Sequence, residues 1–243
     1  MINSRIIATG ALALAAMACG GDSGTGPGPN NPNTAAINKI TSNPQLAAAL
    51  GMGSFGMIMA GSNLSSAGEV TIDGSTYTIY GVNMFVEQDV SSIPGMPVGI
   101  EFKAASAGVI GIRMEGDNVT EGFSISMTNV DANGLFTSGS GSVGSGSTPF
   151  TAIYFKNLDK QNPDIYVGTT GQAQFTASPQ GGTQNCPNAG VYATQLQSCK
   201  FGRGNLQGSF SFTAQPYQGQ GAGTISIPST SFSVPTVDMT LKL

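Results

Sequence analysis

Gln207-Gly208-Ser209-Phe210-Ser211-Phe212-Thr213-Ala214 is the plainest strand signature in this chain. Phe210, Phe212 and Ala214 fall on every second position, with Ser209, Ser211 and Thr213 between them. Successive strand side chains point to opposite faces, so this spacing predicts rings on a core and hydroxyls in water. Downstream, Thr224–Ile227 and Ser231–Val234 repeat the pattern, and Val237, Met239, Leu241 and Leu243 line one face of Val237–Leu243. Upstream, Val70 and Ile72 alternate into Asp73-Gly74, a hairpin dipeptide, and Tyr77 and Ile79 resume beyond it.

Further strands are expected at Asn83–Glu87, Val98–Ala104, Val109–Glu115, Gly122–Asn129, Phe150–Lys156, Ile165–Gly168 and Gly171–Ala177. Asn133-Gly134 reads as a turn and Ser138–Ser147 as a Gly/Ser loop. Asn43-Pro44 followed by Gln45 to Gly51 has an N-cap, a proline at the first helical position and a glycine stop, which predicts one short N-terminal helix. Ser54 to Ala60 reads equally as a first strand or a second helical turn. The fold class is therefore all-β: an antiparallel β-sandwich or partly closed barrel with one short N-terminal helix. No sustained repeat marks a solenoid or propeller.

The N-terminus sets the compartment. Arg5 precedes Ile6 to Ala18, an apolar or small run too short to span a bilayer, and Ala16-Met17-Ala18-Cys19 closes it. Small residues before a cysteine resemble the lipobox of bacterial lipoproteins, with Ala16 where Leu is commonest and Leu14 two residues earlier. The resemblance implies a signal peptide over 1–18 and acylation (palmitate among the chains) of Cys19. Gly20 to Asn33 carries no apolar side chain and is expected to act as a flexible tether with a reach of about 20 Å. Gly20, in place of an inner-membrane retention Asp, points to the outer membrane. Residues 34–243 are left as a single β domain.

Charged residues make up 9% of the chain, and the sequence holds no histidine. Without Arg5 the mature chain has 8 basic against 13 acidic side chains, a net charge near −5 with no basic cluster, so nucleic acid is a poor partner. Lack of imidazole removes Ser-His-Asp and Cys-His nucleophiles and the usual zinc sites. No phosphate-binding glycine loop occurs, and no cofactor is called for. Cys186 and Cys199 are the cysteines left after acylation, and in an oxidising compartment they are expected to form a disulfide, stabilising by roughly 3 kcal/mol for a loop of about 14 residues.

Carboxylates offer the remaining chemistry. Glu115, Asp117 and Glu121 on a glycine-bearing turn are a weak calcium candidate, and the same cluster is the best acid/base group for a hydrolase acting on polysaccharide. Glu87 and Asp89 read as a solvated turn. Tyrosine faces suit sugars, and Tyr192, Tyr166 and Tyr217 are the candidates for a ligand site, Tyr192 inside the loop that the disulfide would pin.

Three segments together resemble an uncharacterised family of bacterial lipoproteins. They are Thr71-Ile72-Asp73-Gly74 with Tyr77 in the place of a frequent Trp, the strand Gly122-Phe123-Ser124-Ile125, and the closing hairpin from Gln207-Gly208-Ser209-Phe210 through Ser231-Phe232-Ser233-Val234-Pro235. The likeness spans about residues 69–235 and implies lipoprotein and all-β, with no reaction attached. The functional expectation is a lipid-anchored, noncatalytic binding or structural module of the envelope, its partner a protein or glycan. A carboxylate-dependent hydrolase is the alternative.

Overall fold

Ten strands account for the regular structure, and no helix occurs among the described residues. They run as β1 (Gly68–Ile72), β2 (Ser75–Asp89), β3 (Glu101–Glu115), β4 (Asn118–Val130), β5 (Ser138–Ser142), β6 (Phe150–Lys156), β7 (Asp164–Pro179), β8 (Gln184–Asn185), β9 (Ser198–Pro216) and β10 (Ile225–Lys242). This computed structural model describes residues 68–89, 101–116, 118–145, 148–158, 160, 162–180, 184–185, 198–219 and 221–242. The expected signal peptide, Cys19, tether and short N-terminal helix lie outside those residues.

All strands belong to one sheet, ordered β5-β7-β6-β4-β3-β2-β10-β9-β8, with β1 paired to β2. β7 also pairs with β9 over most of its length, so the sheet bends back on itself and is partly ringed. The expected antiparallel, partly closed architecture is thus present. One junction departs from it: β10 runs parallel to β2, from Thr236 opposite Gly81 to Lys242 opposite Glu87.

The β1–β2 hairpin turns at Asp73-Gly74, where both residues have positive φ (48° and 79°), the conformation a two-residue hairpin favours. Several expected short strands are segments of long ones. Ile165–Gly168 and Gly171–Ala177 merge into β7 across an irregularity between Gly168 and Thr170. The three C-terminal segments merge into β10, and Pro228 falls inside its one irregularity, where no ladder donor is needed. Part of the expected Gly/Ser loop is strand β5, whose Gly139 and Gly141 turn inward against Phe136 and Thr148 while its serines face out.

Alternation divides the apolar residues into two sets. Tyr77, Ile79, Val109, Phe123, Ile125, Phe150, Phe175, Phe210, Phe212, Phe232 and Val234 fill the enclosed core. Most of its ring pairs meet edge-on or tilted, as Tyr77–Phe123 (5.5 Å) and Phe175–Phe232 (5.3 Å) do, and Phe210 stacks on Phe212 at 6.2 Å. Tyr80, Val82, Met84, Ile110, Ile112, Val119, Ile153 and Phe155 occupy the alternate positions of β2, β3, β4 and β6, and therefore the opposite face.

Candidate functional site

One end of the enclosed core is closed by a polar network built on β2, β3, β4 and β6. Glu121 stands opposite Arg113 on β3 and opposite Lys156 on β6, in the same inward-facing series as Phe123. Its Oε1 accepts from Arg113 Nη1 at 2.6 Å and from the Tyr77 hydroxyl at 3.1 Å, while Oε2 accepts from the Tyr154 hydroxyl at 2.6 Å. The two hydroxyl oxygens lie 3.4 Å apart. Arg113 also donates to Ser75 Oγ and, through Nη2, to Glu115 Oε1 at 3.1 Å.

The Glu121 side chain is 17% exposed. Burial alone would push its carboxyl up, but the donors Tyr154, Arg113 and Tyr77 outweigh that and hold it below the ordinary range. Burial, partly offset by the contact with Tyr154 and reinforced by Glu121, pushes Tyr77 up to about 12. Tyr154 is raised further, by burial first and then by its bond to Glu121. The carboxylate is thus ionised with both oxygens engaged, and the phenols are held neutral. A general acid needs a raised carboxyl pKa and a general base needs a free lone pair aimed at substrate. Glu121 has a lowered pKa and three donors already in place, so the arrangement suits charge-assisted closure of the core rather than proton transfer.

The expected acidic cluster is therefore split. Glu121 faces inward, Glu115 is exposed, and Asp117 lies outside the described residues. The Arg113 guanidinium bridges Glu115 and Glu121, supplying at that point the positive charge a calcium ion would have brought. Among the described residues no group of three or more ligating side chains could hold a metal.

The tyrosine candidates fare unequally. Tyr166 is fully buried, packs on Tyr154 and donates to the Ala222 carbonyl. Its strand position inside the ring, invisible in a local sequence window, is the reason. Tyr217 is half-buried, its body against the second apolar cluster and its hydroxyl accepting from Gln218. Tyr192 and Cys186 lie outside the described residues, and Cys199 is half-buried on β9.

The other end carries two buried polar groups that sequence reasoning missed. Asn83 donates through Nδ2 to the Phe136 carbonyl (2.8 Å) and accepts from the Phe136 amide (3.0 Å), tying β2 to the β4–β5 connection. Asp238, its register neighbour on β10, accepts from Thr236 Oγ1 (2.6 Å) and from the Gln180 amide (3.1 Å). Burial raises the Asp238 carboxyl, partly countered by those two donors. Both polar residues sit within strands otherwise read by their apolar neighbours, and only a polar residue on a core-facing position could have signalled them.

The outward face of β5, β7, β9 and β10 has a different character. Cross-strand rows run Gln174–Ser209–Ser231 and Thr176–Gln207–Ser233, extended on β5 by Ser140 and Ser138. These rows hold hydroxyls and amides, and no charged side chain stands in them. These rows offer donors and acceptors to a neutral polar partner and by themselves give no electrostatic hold on an anion. Comparison with protein-family models, curated proteins and solved structures finds no match to this chain.

Proposed function

We propose that the protein is an envelope lipoprotein, held in the outer membrane by acyl chains on Cys19, whose β domain is a noncatalytic binding or structural module. The observation that carries the noncatalytic part is Glu121. This inward-facing carboxylate of the sequence's best acid/base cluster has both oxygens committed to Arg113, Tyr77 and Tyr154. The uncharged hydroxyl and amide rows of β7, β9 and β10 support binding of a neutral glycan or a polar protein surface. The disulfide belongs to the same reading. β8 and β9 pair Gln184 with Phe201 and Asn185 with Lys200, and the next step of that register would set position 186 opposite Cys199.

Fractionation and protease treatment of intact cells test the anchor, comparing wild type with Cys19→Ser and following the domain by antibody. Wild type should sediment with outer membranes and Cys19→Ser should be released to the soluble fraction. A Cys19→Ser chain that stays with membranes overturns the anchored reading. Turnover of any envelope polysaccharide that is lost in Glu115→Gln or Glu121→Gln, with folding intact, overturns the noncatalytic one.

A further inference from the structure

The outward face of β2, β3, β4 and β6 should be wet, because these strands already give their inner face to the enclosed core. It is not. Val82, Val119 and Phe155 are 0% exposed, Ile153 and Ile112 are 2% exposed, and even the serines Ser106, Ser124 and Ser126 are 7% exposed or less. Register puts all of them on that one face: Ser124 stands between Ile110 and Ile153, Ser106 opposite Met84, and Val119 opposite Met114. Four strands at ~4.8 Å spacing make a surface about 19 Å wide, and a side-chain layer of that width needs another layer of chain over it.

The path of the chain identifies the cover. Toward its start β1 climbs along β2, from Ile72 opposite Ser75 to Gly68 opposite Ile79. One step further along β2 that place is taken by β10, which pairs from Thr236 opposite Gly81 onward. The chain before Gly68 is therefore blocked in the plane of the sheet, and the inner side is filled by Ile79 and Val234, both 0% exposed. The side of the sheet left unblocked at that point is the outward one, beside Tyr80 and Val82. Residues 34–67 include the apolar Ile37, Ile40, Leu46, Leu50, Phe55 and Ile58. The other stretches outside the described residues are much shorter, 90–100 and 186–197 being the longest of them downstream.

We infer that residues 34–67 dock on the outward apolar face of β2–β3–β4–β6 and form a second layer of the domain. The lipid tether then departs from this side, leaving the hydroxyl and amide rows of β7, β9 and β10 turned away from the anchor.

Ser124→Cys and Ser126→Cys place near-isosteric thiols under the cover and provide the test in the mature chain starting at Cys19→Ser. With the inferred layer in place, a water-soluble maleimide should label them at least tenfold more slowly than a thiol at exposed Ser231 (Ser231→Cys). Adding Leu46→Asp and Leu50→Asp should raise that labelling at least tenfold while near-ultraviolet dichroism of the aromatic core persists. Fast labelling without those changes overturns the inference, because the face is then open. Protection that survives Leu46→Asp, Leu50→Asp and Ile58→Asp together, or that depends on protein concentration, overturns the assigned occupant and points to another segment or a second copy. Should the aspartate variants lose the core signal, cross-linking of Leu50→Cys to Ser124→Cys gives the answer instead: a bridge supports the docking, and its absence under oxidation overturns it.

Discussion

Replacing Glu121 by Gln removes the charge at the centre of the closing network while keeping the side chain's shape. In the wild type three donors converge on this carboxylate, two of them at 2.6 Å, and its side chain is 17% exposed. A hydrogen bond to a charged group contributes about 1.5–3 kcal/mol net. The amide keeps one acceptor oxygen and turns an NH2 toward either Tyr154 or the Arg113–Tyr77 side. The bond on the NH2 side is then reversed, where a phenol oxygen can accept, or lost, and the others lose their charge assistance. The ion pair itself adds little, because Arg113 is more than a third exposed and screened by solvent. The expected cost is about 2–3 kcal/mol at pH 7. For a domain of this size that is roughly 5–10 °C in Tm.

The pH dependence of that cost separates this account from a packing effect. The folded state holds the Glu121 carboxyl below its ordinary value of 4.5, so the stability it contributes is present above pH 4.5 and lost as pH falls through the folded pKa. Urea unfolding of wild type and Glu121→Gln should therefore differ fully at pH 7 and converge toward pH 3, with equal m-values. Glu115→Gln, on an exposed side chain, should match wild type within about 0.5 kcal/mol at both. A Glu121→Gln difference under 0.5 kcal/mol at pH 7, or one unchanged at pH 3, would refute the reasoning.

Three further outcomes follow from the core. Gly111→Ala points a methyl into the Phe123 ring, and overpacking of this kind should cost about 1–3 kcal/mol, read as a lowered urea midpoint; an unchanged midpoint would mean the ring has room to move. Asp238 has a raised folded pKa, so its favourable contribution is present below pH 3.8 and lost as pH rises through the folded value. Asp238→Asn, with its oxygen toward the Gln180 amide and its NH2 toward Thr236 Oγ1, should gain stability relative to wild type as pH rises from 4 to 8, and a falling difference would reverse the assignment. Ultraviolet titration of the phenols should show Tyr77 and Tyr80 ionising near 12, above the ordinary 10, unless the fold opens first; ionisation of these two near 10 would contradict their burial.

What was legible in the sequence tracks which faces are wet. β9 and the first half of β10 declare themselves because Phe210, Phe212, Phe232 and Val234 face the core while their serine neighbours face water. The Asp73-Gly74 hairpin declares itself through its turn chemistry, and Phe150–Lys156 emerged with its bounds intact. Strand lengths were harder to read, since Pro228 and Gly168 punctuate a sequence without ending a strand when an irregularity absorbs them. The closing network was half visible: Glu121 stood out as a carboxylate, but its partners Tyr77, Arg113 and Tyr154 come from three other strands, and only the register brings them together.

The poorly read strands carry information of their own. In β2 the run Tyr80-Gly81-Val82-Asn83-Met84-Phe85 lacks alternation, and the sequence alone suggested strand at Tyr77 and Ile79 and again from Asn83 to Glu87. All six of these residues are buried, because inward and outward positions are both covered. β3 behaves likewise from Ala104 to Ile112, and β4 from Gly122 to Met127. Continuous burial of this kind is what a middle layer shows, whereas β7 and β9 alternate because one of their faces meets water. A two-layer ring predicts alternation on every strand. Its failure on β2, β3 and β4, and not on β7 and β9, locates the extra layer on one side of the molecule. It leaves the hydroxyl and amide rows of the other side as the surface where a partner would meet the domain.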